Sequence, residues 1–282
     1  MRALQPIEAA IKAFCVNANW SASMLTAAWQ DPAAVEFYRK LQSEAYLADD
    51  LLRVLPTHNT IYVVVPKTTS TRIRTTLAAI AGRYSRRLKR NRRGEFRMLR
   101  GPRSMTVSSF YRLATNPAGF RFSFVRNPYA RVLSCWANKF QNLPLVPGLP
   151  EINNYLARRE HINSTLPAGA DNTLSFKQFV IFAAASASSR HDPHLQMQSD
   201  ILSMPGIALD FIGRMENYSS DFTRVLDHFG VSEEIRRDAL VPMNPSKHKH
   251  WSDYYTPDLA DRVYRAYERD FDRFSYPRSM PS

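Results

Sequence analysis

Two short segments of the chain combine residue types that bind anions. Pro66-Lys67-Thr68-Thr69-Ser70-Thr71-Arg72 sets four consecutive hydroxyl residues beside a lysine, after an apolar run and before a helical pattern. At such a strand–helix junction the first N–H groups of the helix lack backbone partners, and the helix dipole favours negative charge. Hydroxyls add donors, and Lys67 adds a mobile point charge. The segment reads as a phosphate cradle, or as an ordinary helix cap, which also favours Ser and Thr. No GxxxxGK[ST] pattern occurs, and Lys67 precedes the hydroxyls, which argues against an ATPase, a GTPase or a nucleotide kinase. The second segment is Arg126-Asn127-Pro128-Tyr129-Ala130-Arg131-Val132-Leu133-Ser134. Ser134 lies about two helical turns beyond Arg126, so both side chains could face one phosphate group. The alternative pairs Arg126 with a carboxylate and makes Ser134 a small packing residue. Together the two segments describe a ligand with two separated anionic groups.

The elements around them must hold these segments in place. Thr60–Val65 (TIYVVV), Phe120–Val125 (FRFSFV) and Leu209–Gly213 (LDFIG) are short apolar runs with the character of buried strands. Each leads into a helical pattern: Ile73, Leu77, Ile80 and Ala81 after the first; Tyr129, Val132, Leu133, Trp136 and Phe140 after the second; Phe222, Val225, Leu226 and Phe229 after the third. Ser175 with Gln178 three residues on predicts a capping box. Thr256-Pro257 opens a last helix striped by Leu259, Val263, Tyr267 and Phe271. The first 55 residues read as helical, with Pro32 to Leu55 closed by Pro56. Repeated strand–helix units imply a parallel sheet covered by helices, with ligands beyond the carboxyl ends of its strands. The two anion-binding segments are connectors at that edge.

Composition narrows the class. The 282 residues are 44% apolar and 22% charged, which excludes a disordered chain, and no stretch approaches the ~20 apolar residues of a membrane span. Met1 to Phe14 lacks the apolar core of a signal peptide, and Cys15 and Cys135 are too few for a disulfide framework. A cytoplasmic protein is expected. The net charge of +13 favours anionic partners. Much of it lies between Arg83 and Arg103, where only Glu95 opposes ten Lys and Arg residues. That run is a solvated basic face or a surface for an acidic partner, nucleic acid included. No nucleic-acid motif or aromatic platform accompanies it, so nucleic acid is the disfavoured partner.

The two anion-binding segments resemble the donor-binding motifs of sulfotransferases that use 3′-phosphoadenosine 5′-phosphosulfate (PAPS). VVVPKTTSTRIR is similar to the 5′-phosphosulfate loop, and FSFVRNPYARVLSCWANKF to the 3′-phosphate motif FVRDPxxRxxSxYxxKF. FIGRMENYSSDFTRVLDHFGV and DYYTPDLADRVYRAYERDFDRFSY resemble later segments of the carbohydrate-sulfotransferase (family 2-like) branch, so the likeness runs from about residue 58 to 277. Thr69 stands where many members have Gly or Ala, and Asn127 replaces the usual Asp.

The resemblance implies an α/β, P-loop NTPase-like three-layer fold with a central parallel sheet. It implies a single sulfotransferase domain over 57–282, behind a helical extension at 1–56. It also implies metal-free in-line transfer of a sulfuryl group from PAPS to an acceptor hydroxyl on a carbohydrate or glycan-bearing molecule, releasing adenosine 3′,5′-bisphosphate. Lys67, Thr68, Thr69, Ser70 and Thr71 then hold the 5′-phosphosulfate, with Lys67 neutralising charge on the leaving oxygen. Arg126 and Ser134 bind the 3′-phosphate. For the general base His194 is the first candidate and His191 the second, a structural role being the other reading of both. Glu216 is a further candidate, or a cap of the helix after it. Lys247-His248-Lys249-His250 is either a basic loop over the nucleotide or a solvated charge run.

Overall fold

The computed structural model describes residues 20–44, 48–82, 99–139, 175–188, 192–241 and 250–279. Along the chain its main elements are α1 (Pro32–Glu44), β1 (Leu52–Leu55), β2 (Thr60–Val63), α2 (Ser70–Ile80), α3 (Val107–Thr115), β3 (Phe120–Val125), α4 (Pro128–Lys139), α5 (Phe176–Ser186), β4 (Phe211–Arg214), α6 (Tyr218–Phe229), α7 (Glu233–Leu240), α8 (Pro257–Ala266) and α9 (Glu268–Arg273). The chain divides into two compact units, one of Met1–Val125 and Asp200–Met243, the other of Arg126–Ser199 and Asn244–Ser282. No helix of the described residues is long and apolar enough to cross a membrane.

The first unit is built on a four-stranded sheet in the order β1-β2-β3-β4. β2, β3 and β4 run parallel, with Val63 opposite Ser123 and Val125 opposite Arg214, as the strand–helix units predict. One face carries Tyr62, Phe122 and Phe124, whose rings follow one another at 5.0 and 6.4 Å between centroids. Ile73, Leu77 and Ala78 of α2, Phe222, Val225 and Leu226 of α6 and Ala239 of α7 complete that core. Fully burying a side chain such as Phe222 is worth about 1.5–3 kcal/mol, so this face anchors α2 and α6, the helices that follow β2 and β4. Gly213 in β4 is required by packing: a Cβ there would lie 2.4 Å from the Phe124 ring. Ser123 is buried in β3 and donates its hydroxyl to the Val63 carbonyl at 2.7 Å.

Two sequence expectations are corrected in this unit. The helical stretch does not reach Leu55: Leu52–Leu55 form β1, an antiparallel edge strand with Leu52 opposite Val63. Leu47, Leu51 and Leu55 share a helical period, but a segment of only four residues satisfies either period, and the open edge of β2 decides for strand. The third strand runs from Phe211 to Arg214 rather than from Leu209 to Gly213. Asp210 instead pairs with Arg121, accepting from its backbone N–H at 2.7 Å and forming an ion pair with its guanidinium, 3.2 Å from Nε.

The second unit packs α4, α5, α8 and α9 around aromatic side chains. Tyr129 meets Phe271 at 4.9 Å and Trp251 at 5.5 Å, and Trp136 meets Phe176 at 5.4 Å between centroids. The Ser175 capping box forms in full: Ser175 Oγ accepts from the Gln178 N–H, and Gln178 Oε1 accepts from the Ser175 N–H. The last helix is two helices. It breaks at Tyr267, whose ψ of 20° leaves the helical range. The buried Tyr267 hydroxyl donates to Leu195 O at 2.7 Å.

Candidate active site

The first connector is strained and uncapped. Lys67 and Thr69 have φ of 71° and 59°, a left-handed region that costs a residue bearing a Cβ about 1–2 kcal/mol. Thr68 between them has no such φ, so the sign alternates along the loop. Backbone of alternating sign forms nests whose N–H groups converge on an anion. Thr69 is the N-cap of α2, yet its side chain makes no capping hydrogen bond. Thr106, Ser175, Ser232 and Thr256 each do cap the helix they precede. A hydroxyl cap contributes about 1 kcal/mol. The loop therefore forgoes that gain and accepts strain at the place where the sequence sets a lysine beside four hydroxyls.

The side chains of this loop are unequal. Thr68 is fully buried and donates its hydroxyl to the Val65 carbonyl at 2.7 Å, so its role is to pin the loop to the end of the strand. Lys67, Thr69, Ser70 and Thr71 are half-buried. Within α2, Arg72 is buried, donates to the Val241 carbonyl at 2.9 Å and pairs with Asp238 at 3.3 Å, which fastens the first turn of α2 to the end of α7.

The second connector is built around Asn127. Its Oδ1 accepts from the Tyr129 N–H at 2.9 Å and the Ala130 N–H at 3.4 Å, capping α4 behind Pro128. The replacement of Asp by Asn thus keeps the capping oxygen. Arg126, just ahead of it, is half-buried, as is Ser134 within α4. Arg131 is almost fully buried and was missed as a site residue by sequence reasoning. Its guanidinium donates to Gln196 O at 2.8 Å and Pro193 O at 2.7 Å, tying α4 to the segment that carries His194.

His194 is half-buried, and its Nδ1 lies 2.8 Å from Asp192 Oδ1, which also accepts from the His194 N–H at 2.8 Å. A carboxylate only accepts, so Nδ1 carries the proton and Nε2 holds the basic lone pair. This is the arrangement of an oriented general base. Asp192 was not singled out in the sequence, although its place two residues before a histidine is the spacing of a local side-chain contact. His191 and residues 242–249, which include Lys247-His248-Lys249, lie outside the described residues. His250 caps a short turn, accepting at Nδ1 from the Ser252 N–H at 3.4 Å. Glu216 is exposed, and Asp221 closes that turn by accepting from the Arg214 N–H at 2.7 Å.

Of the basic segment, residues 83–98 lie outside the described residues. Arg103, at its end, pairs with Asp49 at 2.8 Å, and Asp49 also accepts from the Tyr38 hydroxyl. Burial pushes the Asp49 carboxyl up, against the pull of Arg103. Among the described residues no group of His, Cys, Asp and Glu is placed to hold a metal ion.

Comparison with known proteins agrees with the motifs. The sequence profile of the sulfotransferase family matches residues 50–277. Carbohydrate sulfotransferase 14 of Homo sapiens is 27% identical over 231 residues, covering 77% of this chain and 57% of that protein. Carbohydrate sulfotransferase 14 of Danio rerio is 26% identical over 165 residues, covering 56% and 44%. Carbohydrate sulfotransferase 11 of Mus musculus is 24% identical over 169 residues, covering 57% and 47%. The chain spans about half the length of the curated relatives it matches. No solved structure matches it.

Proposed function

Because the chain belongs to the sulfotransferase family, we propose that it transfers a sulfuryl group from PAPS to a hydroxyl of a carbohydrate acceptor. The observation that carries the donor assignment is the uncapped N-terminus of α2 behind Lys67, in a loop whose backbone alternates in sign. An anion bound there takes the place of the missing cap and gains from the helix dipole. Thr69, Ser70 and Thr71 add hydroxyl donors, and Thr68 holds the loop to its strand. Arg126 and Ser134 take the 3′-phosphate, the group that separates this donor from 5′-AMP and ATP.

His194 Nε2 takes the proton of the acceptor hydroxyl as its oxygen forms a bond to sulfur, and Asp192 stabilises the resulting imidazolium. The bond from sulfur to the bridging phosphate oxygen breaks, and Lys67 neutralises the charge left on that oxygen. Adenosine 3′,5′-bisphosphate departs. Positioning and charge stabilisation supply the rate, as in phosphoryl transfer. The carbohydrate acceptor is supported by the names of the relatives, carbohydrate sulfotransferases 14 and 11.

The test is transfer itself. Incubation with PAPS and a panel of glycan acceptors should release adenosine 3′,5′-bisphosphate in proportion to sulfated product. Absence of release with every acceptor, from protein that binds the donor, would remove the carbohydrate assignment.

A further inference from the structure

We infer that Gln198 is a positioning residue that fixes the backbone of Arg126 for the 3′-phosphate, an inference that rests on the reading of Arg126 given above. Arg126 stands between the end of β3 and Pro128, the first residue of α4. At such a corner neither a strand ladder nor a helix supplies the backbone partners, yet both polar groups need them. One side chain provides both. The Arg126 N–H donates to Gln198 Oε1 at 2.9 Å, and Gln198 Nε2 donates to the Arg126 carbonyl at 2.8 Å. The amide exchanges two bonds with one residue, as an opposed residue does in an antiparallel strand pair.

The amide is itself held. Its Nε2 also donates to Asp270 Oδ2 at 3.3 Å, and the Gln198 N–H donates to the same oxygen at 2.8 Å. The other oxygen, Oδ1, accepts from the Ser199 N–H at 2.7 Å. Gln198 and Asp270 are both fully buried. Arg273 closes the same turn by donating to Ser199 O at 2.7 Å. The network leaves the amide one orientation: turned over, Nε2 would face the Arg126 N–H, and Oε1 would face the Arg126 carbonyl and the Asp270 carboxylate.

The chemistry selects glutamine. Asn is one methylene too short, Glu has no donor for the carbonyl, and Met offers neither bond. Arg126 has a long side chain with much rotamer entropy to lose on gripping a phosphate. Fixing its backbone beforehand removes part of that loss, which is how a residue outside the site raises affinity within it.

The experiment compares adenosine 3′,5′-bisphosphate with 5′-AMP by calorimetric titration of the full chain. Gln198→Met, which keeps the volume, should lower the preference for the bisphosphate about tenfold, the scale of one net hydrogen bond. Affinity for 5′-AMP should stay unchanged, and in turnover KM for PAPS should rise while kcat holds. In an Arg126→Ala background the same change should cost nothing further. A preserved preference in Gln198→Met overturns this inference alone. A wild-type protein with no preference overturns the reading of Arg126 and this inference with it. If Gln198→Met does not fold, amide hydrogen exchange of the wild type decides. Protection of the Arg126 amide that rises with the bisphosphate and not with 5′-AMP supports the latch, and exchange indifferent to both overturns it.

Discussion

Asp192 Oδ1 lies 2.8 Å from both the backbone nitrogen and Nδ1 of His194, so one oxygen fixes the loop and the ring together. The carboxylate selects the tautomer with Nε2 as the basic nitrogen. Asp192→Asn should therefore lower kcat by about 10²–10⁴-fold, the range of a lost or misoriented general base, with little change in donor affinity. Steady-state kinetics with varied PAPS checks it. An unchanged kcat would remove His194 from the chemistry.

Lys67 lies two residues before Thr69, the N-cap position of α2 that makes no side-chain capping bond. Lys67→Ala should cut turnover by about 10²–10³-fold or more, the scale of one lost stabiliser of developing charge. Circular dichroism and thermal unfolding should stay near the wild type, since the residue is half-buried and outside the core. Near-normal activity in a folded variant would contradict the assigned role.

Thr69 holds φ 59° with a β-branched side chain, where glycine would sit without strain. Thr69→Gly relieves about 1–2 kcal/mol in the native state and gives back roughly half of that through the freer unfolded chain. Net stability should rise by about 0.5–1 kcal/mol in denaturant unfolding, while turnover falls with the loss of the hydroxyl. A loss of stability would mean that the threonine side chain holds the loop through packing.

Tyr38 tests the fold around Arg103. Its hydroxyl donates to Asp49 at 3.0 Å, and burial pushes its pKa up to about 12, with Arg103 pulling the other way. The ordinary value is about 10, so between these limits the native state keeps a proton that the unfolded state loses. Stability therefore falls as pH rises from about 10 toward 12. Tyr38→Phe should flatten that fall relative to the wild type. A parallel loss in both proteins would show that Tyr38 does not titrate late.

What the sequence reveals and what it conceals divide along local and tertiary lines. The Ser175 capping box involves neighbours in sequence, and it formed where the residues placed it. The parallel order of β2, β3 and β4 followed from repeated strand–helix units. β1 was concealed because Leu51 and Leu55 continue the helical period of Leu47 into the strand. The break at Tyr267 was concealed because Leu259, Val263, Tyr267 and Phe271 keep a four-residue period straight through it. Arg131 and Gln198 act through contacts 62 to 72 residues away. Nothing in their own neighbourhoods announces such partners. The proposed donor residues can be singled out in the sequence because hydroxyls, lysine and arginine carry their chemistry in their type; Arg131 and Gln198, which act through distant backbone, cannot.

Recognition of the 3′-phosphate by the proposed donor site is decided by calorimetric titration. The wild type should bind adenosine 3′,5′-bisphosphate more tightly than 5′-AMP or ATP. Arg126→Ala should lose about 1.5–3 kcal/mol of that affinity, the scale of a charged hydrogen bond, while its affinity for 5′-AMP holds. Equal binding of all three nucleotides would contradict the account, leaving Arg126 and Ser134 as parts of the scaffold.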